Sequence, residues 1–68
     1  MQISARNKLV GTLTSVKLGG VMAEVVVAVG DNEIVSVVTR ASAEELGLAE
    51  GDSVTVIVKS TEVMLAKD

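Results

Sequence analysis

Residues 21–29, VMAEVVVAV, constrain what this chain can fold into more than any other stretch. β-Branched side chains dominate the run, and such residues favour the pleated, half-buried surface of a strand. Gly19-Gly20 precedes it and Gly30-Asp31-Asn32 follows it. Glycine pairs accept the positive φ of a tight hairpin, and Gly-Asp-Asn is turn chemistry, so the strand is held between two turns. Val21, Ala23, Val25, Val27 and Val29 share one face, and Met22, Glu24, Val26 and Ala28 take the other. Both faces are largely apolar, so this strand needs cover on nearly both sides.

Its neighbours are legible on either flank. Leu9–Leu18 reads as the preceding strand, with Val10, Val16 and Leu18 on one face, Leu13 on the other and Gly11 as a bulge or bend. Glu33–Thr39 reads as the following strand, with Val35, Val37 and Thr39 opposed to Ile34, Ser36 and Val38. The period then changes. Ser42-Ala43-Glu44-Glu45 fits a capping box with Ser42 as the cap. Gly47 stands where a left-handed residue would end a helix of one or two turns. Ala49-Glu50-Gly51-Asp52 is a further turn, and Ser53–Lys59 alternates with Val54, Val56 and Val58 inward. Glu62–Leu65 completes the chain as a last short strand. The order predicts an all-β fold: a small OB-like barrel of five to six strands with one short helix, as one domain over residues 1–68. An open antiparallel sheet completed by a partner chain is the alternative.

A chain of 68 residues buries only about 60% of its unfolded surface. Small domains therefore lean on disulfides, metals or oligomerisation. There is no Cys and no His, which removes disulfides and nearly every zinc or haem geometry. With 49% hydrophobic residues, association into a homo-oligomer is the remaining support.

The same composition narrows function. No Phe, Tyr or Trp is present to stack on bases, and the net charge of −3 opposes the neutralisation of many phosphates, so nucleic acid is not the expected partner. Charge is uneven, however. Arg6, Lys8 and Lys17 are the only charged residues before Glu24, whereas seven of the nine acids lie between Glu24 and Asp52. A basic opening on an acidic chain can hold a small anion while repelling polyanions. The start, MQISARNKLV, has no signal-like apolar core, and the longest apolar run, Val25–Val29, is too short to cross a bilayer. A cytoplasmic protein without membrane contact is expected.

Without His, Cys or Tyr the usual general bases and activated nucleophiles are missing, so an enzyme is not expected. Asp31-Asn32-Glu33 offers oxygens to a hard cation but lacks further ligands, and a turn uses those residues anyway. No direct metal site is predicted. Met22 and Met64 read as gap-fillers. What remains is a set of donors near strand ends: Ser4 and Arg6, then Thr39 and Ser42, then Lys59, Ser60 and Thr61. Each has an ordinary role in a cap or turn. Together they suit a small oxyanion, because hydroxyls, a guanidinium, an ammonium and backbone N–H groups all donate, with Glu62 the only acid close in sequence.

Four stretches carry a resemblance to a family. ISARNKLVG at Ile3–Gly11, MAEVVV at Met22–Val27, ELGLAEGD at Glu45–Asp52 and VIVKSTEVML at Val56–Leu65 resemble the molbindins, the small Mop-type molybdate-binding proteins. The resemblance runs essentially end to end, and the pairing of SARN with the late KST-VM is its most specific part. It implies an OB-like fold with strands exchanged within a dimer, and three dimers assembled into a hexamer. It implies molybdate or tungstate bound at subunit interfaces, without catalysis or organic cofactor, for storage, buffering or homeostasis. By the same resemblance the oxyanion contacts fall on Ser4, Ala5 and Arg6, on Thr39 and Ser42, and on Lys59 and Ser60. Gly19 and Gly20 are the candidates for a second anion site near a threefold axis, and Asn7 is expected to fix the turn into the first strand. Arg40 departs from the pattern and either adds charge or pairs with Glu44. The chain has no room for an attached transporter or regulator domain, which favours a free-standing role. The rival reading, prompted by ELGLAEGD and the basic opening, is a small swapped-hairpin DNA-binding or regulatory module of the AbrB type.

Overall fold

Alternation of side chains produces four antiparallel strands, and the computed structural model describes residues 2–68. The strands are β1 (Asn7–Leu18), β2 (Met22–Val29), β3 (Asn32–Thr39) and β4 (Ser53–Val58). Between β3 and β4 lies the helix α1 (Arg40–Glu45), and a 3₁₀ turn over Ser60–Glu62 follows β4. The sheet order is β3-β2-β1-β4. β1 is shared between two partners: Asn7–Thr12 pairs with β4, and Thr12–Leu18 pairs with β2. Thr12 belongs to both ladders, opposite Ala28 and Ser53. A strand that changes partner midway must bend, and this bend gives the sheet its OB-like curvature.

Two local features make the bend possible. A Cβ on Gly11 would lie 2.5 Å from the Ala28 carbonyl oxygen and 2.6 Å from a Val27 methyl, so only glycine admits so close an approach. The extra residue itself sits at Thr14, where the register skips between Leu13 and Ser15. This corrects the expected facing of the first strand. Leu13, Val16 and Leu18 stand opposite Val27, Val25 and Ala23 on the inner face, whereas Val10 points out and is 71% exposed. A bulge shifts every later residue to the other face.

Leu13, Val25 and Val27 form the core, packed by Val16, Val29, Ile34, Leu48, Val54 and Val56. Ala43 plugs α1 onto the sheet. On the outer face, Val35 and Val37 stay 60% exposed. The edges of β3 and β4 do not pair with each other. An apolar cleft lies between them, walled by Leu13, Val25, Val38, Leu46, Val54 and Val56. The barrel is open on this side.

The turns differ in detail from expectation. Gly19 N–H donates to the Met22 carbonyl at 2.8 Å, so the hairpin turns at Gly20-Val21 rather than at Gly19-Gly20, and neither glycine takes a left-handed φ. Gly19 is needed instead because a Cβ would sit 2.9 Å from the Met22 oxygen. Gly47 does adopt the left-handed conformation expected past the helix, at φ 63°. The cap of α1 is Thr39, not Ser42: the Thr39 hydroxyl accepts from the Ser42 N–H at 3.0 Å. The helix starts early because Arg40 N–H is already anchored to the Val21 carbonyl at 2.7 Å. The strand expected over Glu62–Leu65 is also absent. The 3₁₀ turn occupies its start, and the residues beyond have no regular structure. The described barrel therefore has four strands rather than five to six.

Candidate functional site

Pairing of Asn7 with Val58 brings the two ends of the chain side by side. The Asn7 side-chain amide strengthens the junction by donating to the Val58 carbonyl at 3.2 Å, a bond across the sheet to β4 rather than within the turn into β1. Beyond this pair the segments diverge and enclose a cleft lined by Ser4, Ala5, Lys59, Ser60 and Thr61, with Ile3 and Ile57 as apolar walls. Residues 55 positions apart in sequence, Ser4 and Lys59, thus share one concavity. Arg6 lines a second cleft at this end, with Asn7, Lys8, Leu9, Val58 and Val63.

The chemistry of this end is uniform. Neither cleft lining includes a carboxylate. None of Ser4, Arg6, Lys59, Ser60 or Thr61 makes a side-chain hydrogen bond or ion pair among the described residues. Two cations and three hydroxyls therefore stand with their donors unspent. Glu62, the acid closest in sequence, has its backbone N–H tied to the Lys59 carbonyl at 2.9 Å. That bond turns the chain so that Ser60 and Thr61 face the cleft.

The second hydroxyl pair lies elsewhere. Thr39 Oγ1 donates to Ser42 Oγ at 2.8 Å while accepting the Ser42 N–H, so one Ser42 acceptor and the Thr39 hydrogen are already committed. Ser42 keeps its own hydroxyl hydrogen to donate. Arg40, next along, donates through Nε to Glu44 at 2.9 Å and through Nη1 to the Gly19 carbonyl at 3.1 Å. Of the two roles open to Arg40, pairing with Glu44 is the one found. Gly20, Val21, Thr39, Arg40, Ala41 and Glu44 line a separate concavity at this end. Here Gly19 offers no N–H, since that group is bonded to Met22. Of the two glycines proposed for a second anion site, only Gly20 keeps its amide.

The sequence-predicted donors therefore fall into two groups. Ser4, Ala5, Lys59 and Ser60 come together in one cleft, and Arg6 lines a second cleft at the same end. Thr39 and Ser42 do not join them. β1 separates the groups: Asn7 begins it at the first, and Leu18, through Ala23 and Val38, ends it at the second. Its 12 residues at about 3.3 Å each give roughly 36 Å of contour. Among the described residues, no cleft is lined by members of both groups. Thr61, which the sequence groups with Lys59 and Ser60 among the donors although the family resemblance does not include it in the contacts, also lines the cleft. The Arg40–Gly19 bond spans 21 positions and had no local signal.

Solvent exposure is high for a chain of this mass. Its accessible surface is 5371 Å², where a compact monomer of 7.0 kDa exposes about 4,000 Å². Val63, Met64 and Leu65 contribute, the last two being more than 90% exposed. Among the described residues no group of His, Cys, Asp and Glu could hold a metal ion, and no helix is long and apolar enough to cross a membrane.

Comparison with known proteins places this geometry. The model of the TOBE domain matches residues 3–65. Molybdenum-pterin-binding protein 2 of Clostridium pasteurianum is 50% identical over 66 residues, spanning 96% of this chain and 97% of the relative. A molybdate-binding protein from Sporomusa ovata superposes with a TM-score of 0.94 at 42% identity, over 98% of this chain and all of that one. MopII from Clostridium pasteurianum, in an apo form, superposes with a TM-score of 0.90 at 48% identity, over 97% and 100% of the two chains.

Proposed function

We propose, from the premise that this chain belongs to the TOBE-domain family as a Mop-type molbindin, that it binds molybdate without catalysis, between copies of itself. The observation that carries the reading is the separation of its donors into two groups that share no cleft among the described residues of one chain. Ser4, the Ala5 backbone, Arg6, Lys59 and Ser60 of one copy hold one side of the ion. Ser42 of another copy, its hydroxyl steadied by Thr39, holds the other.

Such a site distinguishes anions by protonation. Molybdate is a dianion that carries no proton at neutral pH, whereas hydrogen phosphate carries one and needs an acceptor. A cleft whose lining has one cation and three hydroxyls but no carboxylate meets the first and penalises the second. Tungstate has the same shape and charge and binds equally. Assembly follows from the surface: the excess over a compact monomer is of the order of the ~800 Å² per partner buried in a standard interface. The apolar opening between β3 and β4 and the exposed Val63–Leu65 are complementary features for strand exchange within a dimer, with three dimers closing a hexamer. The protein then stores or buffers the oxyanion in the cytoplasm.

Equilibrium dialysis against molybdate, with tungstate, sulfate and phosphate as competitors, tests the ligand. Saturable binding that tungstate displaces and phosphate does not is expected; retention of none of the four ions sinks the proposal. Complementation tests the shared site. Lys59→Ala and Ser42→Ala chains lose binding when refolded separately. Unfolded together and refolded in equal amounts, they regain about a quarter of the wild-type sites, since each half is intact half of the time. A mixture as empty as its parents means that each site belongs to a single chain. A duplex-DNA mobility shift at low salt, expected to be negative, checks the regulatory alternative.

A further inference from the structure

We propose that Arg40 is a positioning residue of the oxyanion site: it fixes the hairpin tip against the start of α1 and occupies the one carboxylate beside Thr39. The inference rests on the reading above, that Ser42, steadied by Thr39, touches the ion.

The geometry is specific. Arg40 directly follows Thr39, the cap of α1. Its backbone N–H reaches the Val21 carbonyl at 2.7 Å and its Nη1 reaches the Gly19 carbonyl at 3.1 Å, so one residue grips the hairpin tip twice. Met22, just beyond that tip, pairs with Thr39 across the sheet. The tip, the cap and the first turn of α1 consequently move as a unit. The remaining arm, Nε, holds Glu44 at 2.9 Å. Glu44 and Thr39 line the same concavity, so a carboxylate released there has two unwelcome effects. It repels a dianion held by the neighbouring hydroxyls, and it offers an acceptor to a protonated oxyanion, which removes the basis for rejecting phosphate. Both side chains of the pair are about half exposed, and such a pair contributes little to folding. Its effect falls on the site.

The test is calorimetric titration of molybdate and phosphate into the intact protein and four variants: Arg40→Gln, Glu44→Gln, the double variant, and Ser42→Ala. Arg40→Gln is expected to weaken molybdate by about fivefold and to narrow the molybdate-to-phosphate ratio further, because Glu44 is now unoccupied. Adding Glu44→Gln to it restores the ratio, while part of the affinity loss persists because the Gly19 contact is still missing. Melting temperatures of all four stay close to the parent, which separates positioning from a structural role. Two results overturn the proposal: an Arg40→Gln protein with unchanged affinity and selectivity, or a selectivity loss that Glu44→Gln fails to rescue. A loss that disappears in about 0.5 M NaCl, where screening reaches only a few ångströms, also overturns it, by making Arg40 a distant charge. If Ser42→Ala binds molybdate like the parent, the site reading itself fails and takes this inference with it.

Discussion

The two ends of this small barrel hold the same kinds of group and use them oppositely. At the hairpin end, Thr39, Ser42, Arg40 and Glu44 are bonded to one another and to Gly19. At the end where the termini meet, Ser4, Arg6, Lys59, Ser60 and Thr61 have no side-chain partner among the described residues. Hydroxyls and cations satisfied internally fix a shape, whereas donors left unspent are available to a ligand. One end is an organised frame and the other an open grip. Loss of the Thr39 cap at the frame should cost stability and binding together, and substitutions at the grip should cost binding alone.

Three changes break or sharpen that contrast. The largest effect is expected in the middle of β1, which both ends share. Leu13→Ala removes the one large side chain that is fully buried, at a cost of about 2–5 kcal/mol. Chemical denaturation should show a loss of that size, with both ends disordered together. Retention of one end alone, seen by amide exchange, would mean that the ends fold independently. Next is Lys59→Ala at the grip. A charge-assisted hydrogen bond is worth roughly 1.5–3 kcal/mol, so molybdate affinity should fall at least about tenfold. The melting temperature should move little, since Lys59 has no partner to lose; a clear drop would place it in the frame. The smallest is Thr39→Val at the frame, which keeps shape but deletes the cap to Ser42 N–H. Loss of a cap costs about 1 kcal/mol, a fall of roughly 4–8 °C in a domain this size. Weaker molybdate binding should accompany it. A change in only one of the two quantities would blur the distinction between the ends.

How much of this was legible depended on how local each feature is. The alternation in β2, β3 and β4 is visible in the residues themselves, since a side chain's face follows from its parity along the strand. The turn at Ala49–Asp52 is equally local. There Asp52 Oδ2 accepts the Ala49 N–H at 2.9 Å, the bond that Asp favours in turns. The cap was misread because two overlapping patterns compete. Ser42 with Glu45 matches the usual box, and Thr39 with Ser42 matches a weaker one. The contest is decided by the Arg40–Val21 bond, which lies outside both. The Thr14 bulge had no local mark either, because it exists only as a mismatch between β1 and β2. The terminal strand failed for a related reason: the apolar residues at 63–65 pair with no strand of the described chain, and pairing is not a property of their own composition.

For the candidate site the division is similar. The sequence by itself determined the inventory: a donor-rich set without His, Cys or aromatic residues, of a kind that suits a small oxyanion. It also determined the strand pattern, because parity and turn chemistry act over a few residues. Only the tertiary structure decided which donors meet. Antiparallel pairing of Asn7 with Val58 joins Ser4 to Lys59, and the length of β1 keeps Thr39 and Ser42 away. The physical reason is that proximity across a sheet is set by register and strand length, which no short stretch encodes.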